Sequence, residues 1–159
     1  MEKLKNISPE RLVYVDETGI DKYLYRQYAY APRGQLVNGK ISGKKYKRTN
    51  IIAGICQRAW IAPMIYSGTT DSMLFEHWFE NCLLNEVETD SIIILDNATF
   101  HKKSVIPVLA QKKHCNVLFL PPYSPDLNPI EKKWACLKRR LLNILPDFDS
   151  FDFALDTCF

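Results

Sequence analysis

A chain of 159 residues is long enough to bury one ordinary hydrophobic core, so we expect a single domain over residues 1–159. Its hydrophobic content of 47% and charged content of 25% are those of an ordinary soluble globular protein. The net charge of +3 permits nucleic-acid binding without requiring it.

The cysteines and the apolar runs narrow the class of protein further. The five cysteines are odd in number, far apart and without a C-x-x-C pair, which argues against a disulfide framework and against a structural zinc site. No apolar run approaches the roughly 20 residues that span a bilayer, and the N-terminus lacks a signal-peptide pattern. The sequence therefore predicts a cytoplasmic protein with reduced thiols and no membrane contact.

The first third of the chain predicts one strand and two irregular segments. Residues 1–10 form a polar lead-in, and the run LVYV at Leu12–Val15 predicts a buried strand that ends on Asp16, with turn chemistry at Thr18–Gly19. Tyr23–Tyr30 is rich in aromatic residues and is predicted to be strand-like or irregular. The basic block Lys40–Arg48 contains two glycines and predicts an exposed loop.

The middle of the chain predicts a hairpin and a helix. Asn50–Gln57 and Ala59–Tyr66 are two apolar runs joined by a tight turn, and Pro63 places the second of them near a sheet edge. After this hairpin, residues 69–71 end on Asp71 and predict the cap of a helix that runs to about Glu88.

The last part of the chain alternates strands and helices. Ser91–Leu95 is the most strongly apolar strand and ends on Asp96, and a helix over His101–Gln111 is kinked or starts late because it contains Pro107. The remaining elements are a strand and two helices, at Val117–Leu120, Ile130–Leu142 and Asp147–Phe159. Antiparallel-capable strands followed by this alternation predict an α/β domain with a mixed sheet whose later strands are parallel.

The stretch PPYSPDLNPIEKKW, Pro121–Trp134, predicts a stiff loop that leads into a helix. Three prolines in five residues deny the backbone both sheet hydrogen bonds and helical turns. Asp126 or Asn128 is predicted to cap the helix that follows, and Pro129 has the fixed φ suited to its first turn. Glu131 is then placed firmly in that first turn.

Three acids are candidates for one site. Asp16 and Asp96 follow strands whose carboxyl ends gather ligands in sheets with parallel crossovers, and Glu131 reaches the same edge from its helix. Three convergent carboxylates without matching His or Cys ligands suit Mg²⁺ or Mn²⁺, and their mutual repulsion makes a site without a cation costly. Two such ions are expected, and they favour phosphodiester chemistry on nucleic acid.

Four motifs stand out in the sequence: YVDETG at Tyr14–Gly19, YAPRGQ at Tyr30–Gln35, ILDNATFH at Ile94–His101 and LPPYSPDLNPIEKKWACLK at Leu120–Lys138. Between Asp96 and Glu131 lie 34 residues. The motifs and this spacing resemble those of the DDE-type transposases, in particular their mariner-like insertion-sequence group.

The resemblance implies a fold, a reaction and partners. The fold is an RNase H-like mixed five-stranded sheet, three antiparallel strands then two parallel, flanked by helices. Asp16, Asp96 and Glu131 are the implied metal-binding triad, for cleavage at transposon ends and attack of the freed 3′-hydroxyl on target DNA. Relatives act on DNA as homo-oligomers and carry helix-turn-helix modules that this sequence lacks. We therefore expect an excised domain, or an element whose separately encoded portion supplies DNA recognition.

Basic residues and one histidine are candidates for DNA contact. Glycine-containing basic loops adapt to phosphates, which favours Lys44, Lys45, Lys47 and Arg48. Lys138 lies two turns after Glu131 on the same helix face. His101 is expected either to orient a water or contact a phosphate, or to cap the helix that it begins. The list of candidates for DNA binding is therefore Lys44, Lys45, Lys47, Arg48, His101 and Lys138.

Structural roles are expected for other residues near the motifs, and two other functions stay open. Glu17 alternates to the face opposite Asp16, which favours a structural role. Trp134 and Leu137 are expected to pack their helix onto the sheet. A metal-dependent nuclease that cuts without joining is the alternative enzyme, and a non-catalytic DNA-binding or assembly fragment is the alternative from another class.

Overall fold

The computed structural model describes residues 7–21, 33–34, 48–122, 124 and 127–159, and these form a five-stranded sheet with helices packed on both faces. The predicted segment Tyr23–Tyr30 and the basic loop up to Lys47 lie outside the described residues.

The strands follow the predicted mixed topology. In spatial order the sheet is β3-β2-β1-β4-β5. The first three strands pair antiparallel, whereas β4 runs parallel to β1 and β5 parallel to β4, so the prediction of three antiparallel strands followed by two parallel ones is confirmed. Their bounds are β1 Leu12–Asp21, β2 Arg48–Cys56, β3 Ala59–Ser67, β4 Ile92–Leu95 and β5 Asn116–Phe119.

The helices begin close to where the sequence signals place them. Asp71 caps the first helix by accepting the Leu74 N–H at 2.8 Å, and the third helix starts late, with Pro107 in its first turn where no intrahelical N–H is needed. A π-helical turn, Phe79–Leu83, joins the first two helices. Their bounds are α1 Ser72–Trp78, α2 Leu84–Glu86, α3 Ile106–Gln111, α4 Ile130–Ile144 and α5 Phe151–Asp156.

The first strand is longer than its apolar run, and this corrects the predicted turn at Thr18–Gly19. Thr18 pairs with Ile51 and Gly19 with Asn50, so β1 continues to Asp21 and Asp16 lies within the strand rather than at its end. A Cβ at position 19 would lie 1.9 Å from Nε of Arg48. Glycine stands here because the Arg48 side chain crosses the strand, not because the chain turns.

Two hydrophobic cores lie on opposite faces of the sheet. Side chains alternate along a strand, so Val13 and Val15 face the core formed with α1 and α3, whereas Ile20 faces the core formed with α4 and α5. Asp16 therefore points to the α4 side and Glu17 to the α1 side, the opposite faces that the sequence predicts. No helix in the described ranges combines the length and the apolarity needed to cross a membrane.

Candidate active site

Asp16, Asp96 and Glu131 line one cavity of about 400 Å³. The parallel register of β1 and β4 pairs Tyr14 with Ile94, and two further residues along each chain place Asp16 beside Asp96. Glu131 lies in the first turn of α4, the helix that follows β5. The other lining residues come mainly from the turn after β4 and from the proline loop: Asn97, Ala98, Leu120, Pro121, Pro122, Ser124 and Asn128.

Asp16 is the buried acid of the three, with 8% of its surface exposed. Its Oδ2 accepts a hydrogen bond from the indole Nε1 of Trp134 at 3.1 Å. Burial raises the pKa of Asp16 to about 7, and the negative charges of Glu17, Glu131 and Asp96 add to the increase. At this position a carboxylate is costly unless a cation compensates it.

The electrostatic environment of Asp96 is the opposite of that of Asp16. Its side chain is about half exposed, and its Oδ1 lies 3.0 Å from Nδ1 of His101. The backbone N–H of Ala98 donates to the same oxygen at 3.0 Å. The hydrogen bond from His101 is the main reason why the pKa of Asp96 is lowered, so this carboxylate is charged at neutral pH.

His101 bridges two acids from within the core. Its side chain is fully buried, with Nε2 3.3 Å from Oε1 of Glu17 and its ring centroid 4.1 Å from that of Phe75. Burial by itself lowers the pKa of His101, but the hydrogen bonds to Asp96 and Glu17 outweigh it and raise the pKa to about 9. The imidazole is therefore charged and donates from both nitrogens.

This burial corrects the expectation that His101 contacts DNA. A side chain without exposed surface offers no atom to a phosphate at the protein surface. His101 does not cap a helix either, because α3 begins only at Ile106. Its contacts assign it to holding Asp96 and Glu17.

The loop before α4 differs in one detail from the prediction. Among the described residues, no side chain caps α4: Pro129 stands at the N-cap, and the backbone carbonyl of Asn128 accepts the Glu131 N–H at 3.3 Å. Asn128 is buried, and within the described part of the chain its Oδ1 has no hydrogen-bond partner. Asp126, the other predicted cap, lies outside the described residues.

The basic candidates are only partly described. Lys44, Lys45 and Lys47 lie outside the described residues. Arg48 is the exposed first residue of β2, and Lys138 is half-buried on α4. DNA contact by these residues stays a prediction.

Two residues of the site were expected to be only structural. Trp134 packs α4 onto the sheet as predicted, but its indole also binds Asp16. Glu17 lies on the opposite face from Asp16, yet its carboxylate is 3.3 Å from Nε2 of His101, the residue that also binds Asp96. The sequence signal for a role of Trp134 in the site is its position three residues after Glu131, because this spacing places both residues on one side of α4.

The oxygen donors around the cavity fit a hard divalent cation. Three carboxylates and the amide oxygen of Asn128, which has no hydrogen-bond partner among the described residues, are the ligand types that Mg²⁺ and Mn²⁺ prefer. Across the described residues, no three acidic, histidine or cysteine side chains already stand close enough together to hold one ion. The donor chemistry is nevertheless present in the lining of the cavity.

The family model of the DDE superfamily endonucleases matches residues 11–152. The chain belongs to this family. The matched range includes all three acids of the cavity and confirms the resemblance that the four sequence motifs carry.

Two curated relatives match shorter segments of this DDE endonuclease chain. The Tc1 transposase of Caenorhabditis elegans is 35% identical over 75 residues, which are 45% of this chain and 28% of the relative. The uncharacterized protein y4pE/y4sA of Sinorhizobium fredii (strain NBRC 101917 / NGR234) is 38% identical over 61 residues, which are 37% of this chain and 43% of the relative. The matches thus span less than half of either relative.

Solved structures share the fold. The Mos1 transposase, in a paired-end complex with the left transposon end, superposes with a TM-score of 0.73 at 22% identity over 88% of this chain and 45% of that chain. The catalytic core domain of BIV integrase superposes with a TM-score of 0.55 at 15% identity over 94% of this chain and 80% of that chain. The mixed sheet is therefore an RNase H-like fold of the transposase and integrase type.

Proposed function

We propose that this chain is the catalytic domain of a DNA transposase, which cleaves phosphodiester bonds at transposon ends and joins the freed 3′-hydroxyl to target DNA. The observation that carries the proposal is the single cavity lined by Asp16, Asp96 and Glu131. Membership in the DDE endonucleases and the similarity to the Tc1 transposase support it. The similarity of fold to the Mos1 transposase is consistent with it.

In this proposal Asp16, Asp96 and Glu131 hold Mg²⁺ or Mn²⁺, most simply as two ions. Complexes of the Mos1 transposase have been solved with Mn and with Mg, which supports the assignment by analogy of fold. A pair of such ions activates an attacking oxygen and stabilises a leaving oxygen in phosphoryl transfer. The unfavourable charge on buried Asp16 supports a cation as its natural partner.

The protein's own groups then position the reaction. His101 holds the Asp96 carboxylate from inside the core, and the proline loop and first turn of α4 hold Glu131. Water and a sugar hydroxyl are both oxygen nucleophiles, so one set of carboxylates serves both cleavage and joining. Lys44, Lys45, Lys47, Arg48 and Lys138 are the proposed contacts to DNA phosphates.

The proposed partners are transposon-end and target DNA. This chain covers 45% of the Mos1 chain in its paired-end complex, so end recognition by a separate helix-turn-helix portion is part of the proposal. Assembly as a homo-oligomer on DNA is proposed as well, by analogy with that paired-end complex.

A strand-transfer assay tests the reaction. The chain is incubated with a pre-cleaved transposon end bearing a 3′-hydroxyl, a plasmid target and Mg²⁺ or Mn²⁺, with and without a helix-turn-helix portion supplied in trans. Joined product is the expected result. Nicked plasmid without joining identifies a metal-dependent nuclease instead, and the absence of any product in all conditions identifies a non-catalytic assembly fragment.

Substitution of the triad tests the site. Asp16→Asn, Asp96→Asn and Glu131→Gln each remove one negative charge without changing volume, and we expect each to lower the rate at least about 10³-fold, a loss of about 4 kcal/mol in transition-state stabilisation. Asp156→Asn, on the exposed side of α5, is the matched control and should keep the wild-type rate. A triad variant that keeps a near-normal rate removes that residue from the site.

A further inference from the structure

Trp134 connects the packing of α4 to the orientation of Asp16. The residue is 2% exposed, and its ring is held against Trp60 with centroids 4.7 Å apart. From this fixed position the indole Nε1 donates to Oδ2 of Asp16 at 3.1 Å. An indole N–H is a donor only, so this bond favours the charged carboxylate.

The same helix also carries Glu131. Trp134 follows Glu131 by three residues, so both side chains leave α4 on neighbouring positions of its surface. Glu131 and Asp16 line the same cavity, one from α4 and the other from the central strand. Any shift of α4 would therefore move one acid directly and release the other.

We propose that Trp134 is a positioning residue for a divalent cation in the cavity: its indole N–H fixes the Asp16 carboxylate, so that α4 sets the geometry of two of the three acids. The inference rests on the proposed function, because it requires that the cavity bind a divalent cation. Donors that orient metal-binding carboxylates typically change metal affinity about 10- to 100-fold when removed.

Trp134→Phe tests the hydrogen bond with little change of packing. The phenyl ring keeps an aromatic contact with Trp60 but has no N–H. Trp78→Phe is the matched control, because Trp78 is also fully buried and also donates its indole N–H, to the carbonyl of Ala62 at 2.8 Å, but in the other core. Both substitutions remove one buried hydrogen bond of an indole N–H, but only Trp134 donates to a residue that lines the cavity, Asp16.

Metal binding is the first readout. Titration of the metal-free chain with Mn²⁺, followed by calorimetry, should show an affinity about 10- to 100-fold weaker for Trp134→Phe than for the wild type. Trp78→Phe should bind as the wild type does, although urea unfolding should show comparable losses of stability for the two variants. Equal affinities in the wild type and Trp134→Phe would overturn the positioning role.

The indole resonances are the second readout, and they remain informative if Trp134→Phe does not fold. The chain has three tryptophans, so its ¹H–¹⁵N spectrum contains three indole peaks, assignable through Trp→Phe variants. Mg²⁺ should move the Trp134 peak more than the other two, and Asp16→Asn should move the same peak without metal. A Trp134 peak that responds to neither change contradicts the proposal.

Metal binding by the wild type and by Trp134→Phe distinguishes failure of the proposed function from failure of the positioning role. If the wild-type chain binds neither Mn²⁺ nor Mg²⁺, the proposed function is wrong and the positioning role falls with it. If the wild type binds metal and the Trp134→Phe variant binds it equally well, only the positioning role is wrong.

Discussion

Asp16 and Asp96 stand side by side in one register, yet their surroundings give them opposite charge preferences. Asp96 is half exposed and paired with the His101 imidazolium, which lowers its pKa. Asp16 is buried on the α4 side, where one neutral indole N–H is its side-chain partner and its pKa rises to about 7. The protein compensates the charge of Asp96 with its own His101, whereas no cationic side chain of the described residues pairs with Asp16.

The difference shows what each half of the site contributes. On the His101 side, Asp96, His101 and Glu17 form an ion-pair network that is complete without a ligand. On the Asp16 side, ionisation of the buried carboxyl group is unfavourable, and the proposed cation would relieve this penalty. Substitution on the His101 side should therefore lower the stability of the fold, whereas substitution of Asp16 should change both metal binding and the stability of the metal-free protein.

Removal of His101 should have the largest effect on folding. His101→Ala leaves Asp96 and Glu17 without their shared buried partner, and loss of one member of a buried ion pair costs about 3–5 kcal/mol. Urea unfolding at pH 6 checks this, with exposed His77→Ala as the control. A loss below about 1 kcal/mol would mean that the network does not hold this part of the fold.

The His101 contribution should also depend on pH in a defined window. The pKa of His101 in the folded protein, about 9, lies above its ordinary value of 6.5. The stability from its charge is therefore complete below about pH 6.5 and lost as pH rises through 9. The difference in unfolding free energy between the wild type and His101→Ala should shrink from pH 6 to pH 10. If it stays constant, the imidazole is neutral.

Asp16→Asn should stabilise the metal-free protein. The folded-state pKa of about 7 lies above the ordinary 3.8, so the wild type loses stability as pH rises from about 4 through 7. A pKa difference of about 3 corresponds to an upper limit of about 4 kcal/mol, and we expect a gain of ~2–4 kcal/mol at pH 8. Unfolding curves at pH 4 and pH 8 measure this gain in unfolding free energy. If Asp16→Asn is no more stable than the wild type at pH 8, ionised Asp16 does not destabilise the fold.

A divalent cation should remove the same penalty in the wild type. At a concentration about 100 times its dissociation constant, a ligand that binds only the folded state stabilises it by about 3 kcal/mol. Thermal unfolding with and without Mg²⁺ at pH 8 should show this increase for the wild type and a much smaller one for Asp16→Asn. Equal increases in the two proteins would place the ion elsewhere.

The smallest effect is expected at an ion pair far from the cavity. Lys112 and Glu80 form a pair in which both side chains are substantially exposed. Surface pairs contribute about 0–1 kcal/mol, because water and salt screen them. Lys112→Ala should therefore change the unfolding free energy by less than about 1 kcal/mol. A larger loss would show that burial does not explain why the His101 network contributes more to stability than the Lys112–Glu80 pair.

Much of this fold could be predicted from the sequence because its strands are short apolar runs bounded by prolines, glycines and acids. A mixed sheet whose later strands are parallel follows from the order of those runs, and the arrangement of three antiparallel and two parallel strands follows from the family resemblance. The full length of β1 could not be predicted, because the residue pair Thr18–Gly19 is typical of a turn. The reason for Gly19 is the Arg48 side chain on the neighbouring strand, a contact that no local pattern contains.

The acids of the site were easier to find than their partners. Asp16, Asp96 and Glu131 each follow or lie in a recognisable element, and the motif spacing relates them. The roles of His101 and Trp134 depend on which face of the sheet each side chain reaches and how deeply it is buried. Those quantities arise from tertiary packing, so the sequence could suggest DNA contact for His101 although its ring lies inside the core.

The two edges of the sheet limit how copies of this domain can associate. β3 carries the exposed Pro63, and its pairing with β2 shifts register between Ile52 and Gly54. Opposite that irregularity, the N–H of Ala62 is already bound by the Glu86 carboxylate at 2.9 Å. The other edge, β5, offers only four residues. The irregular β3 and the short β5 therefore hinder a strand of another molecule from pairing with either edge of the sheet. In the described part of the chain, subunits would therefore meet through side chains rather than through a shared sheet.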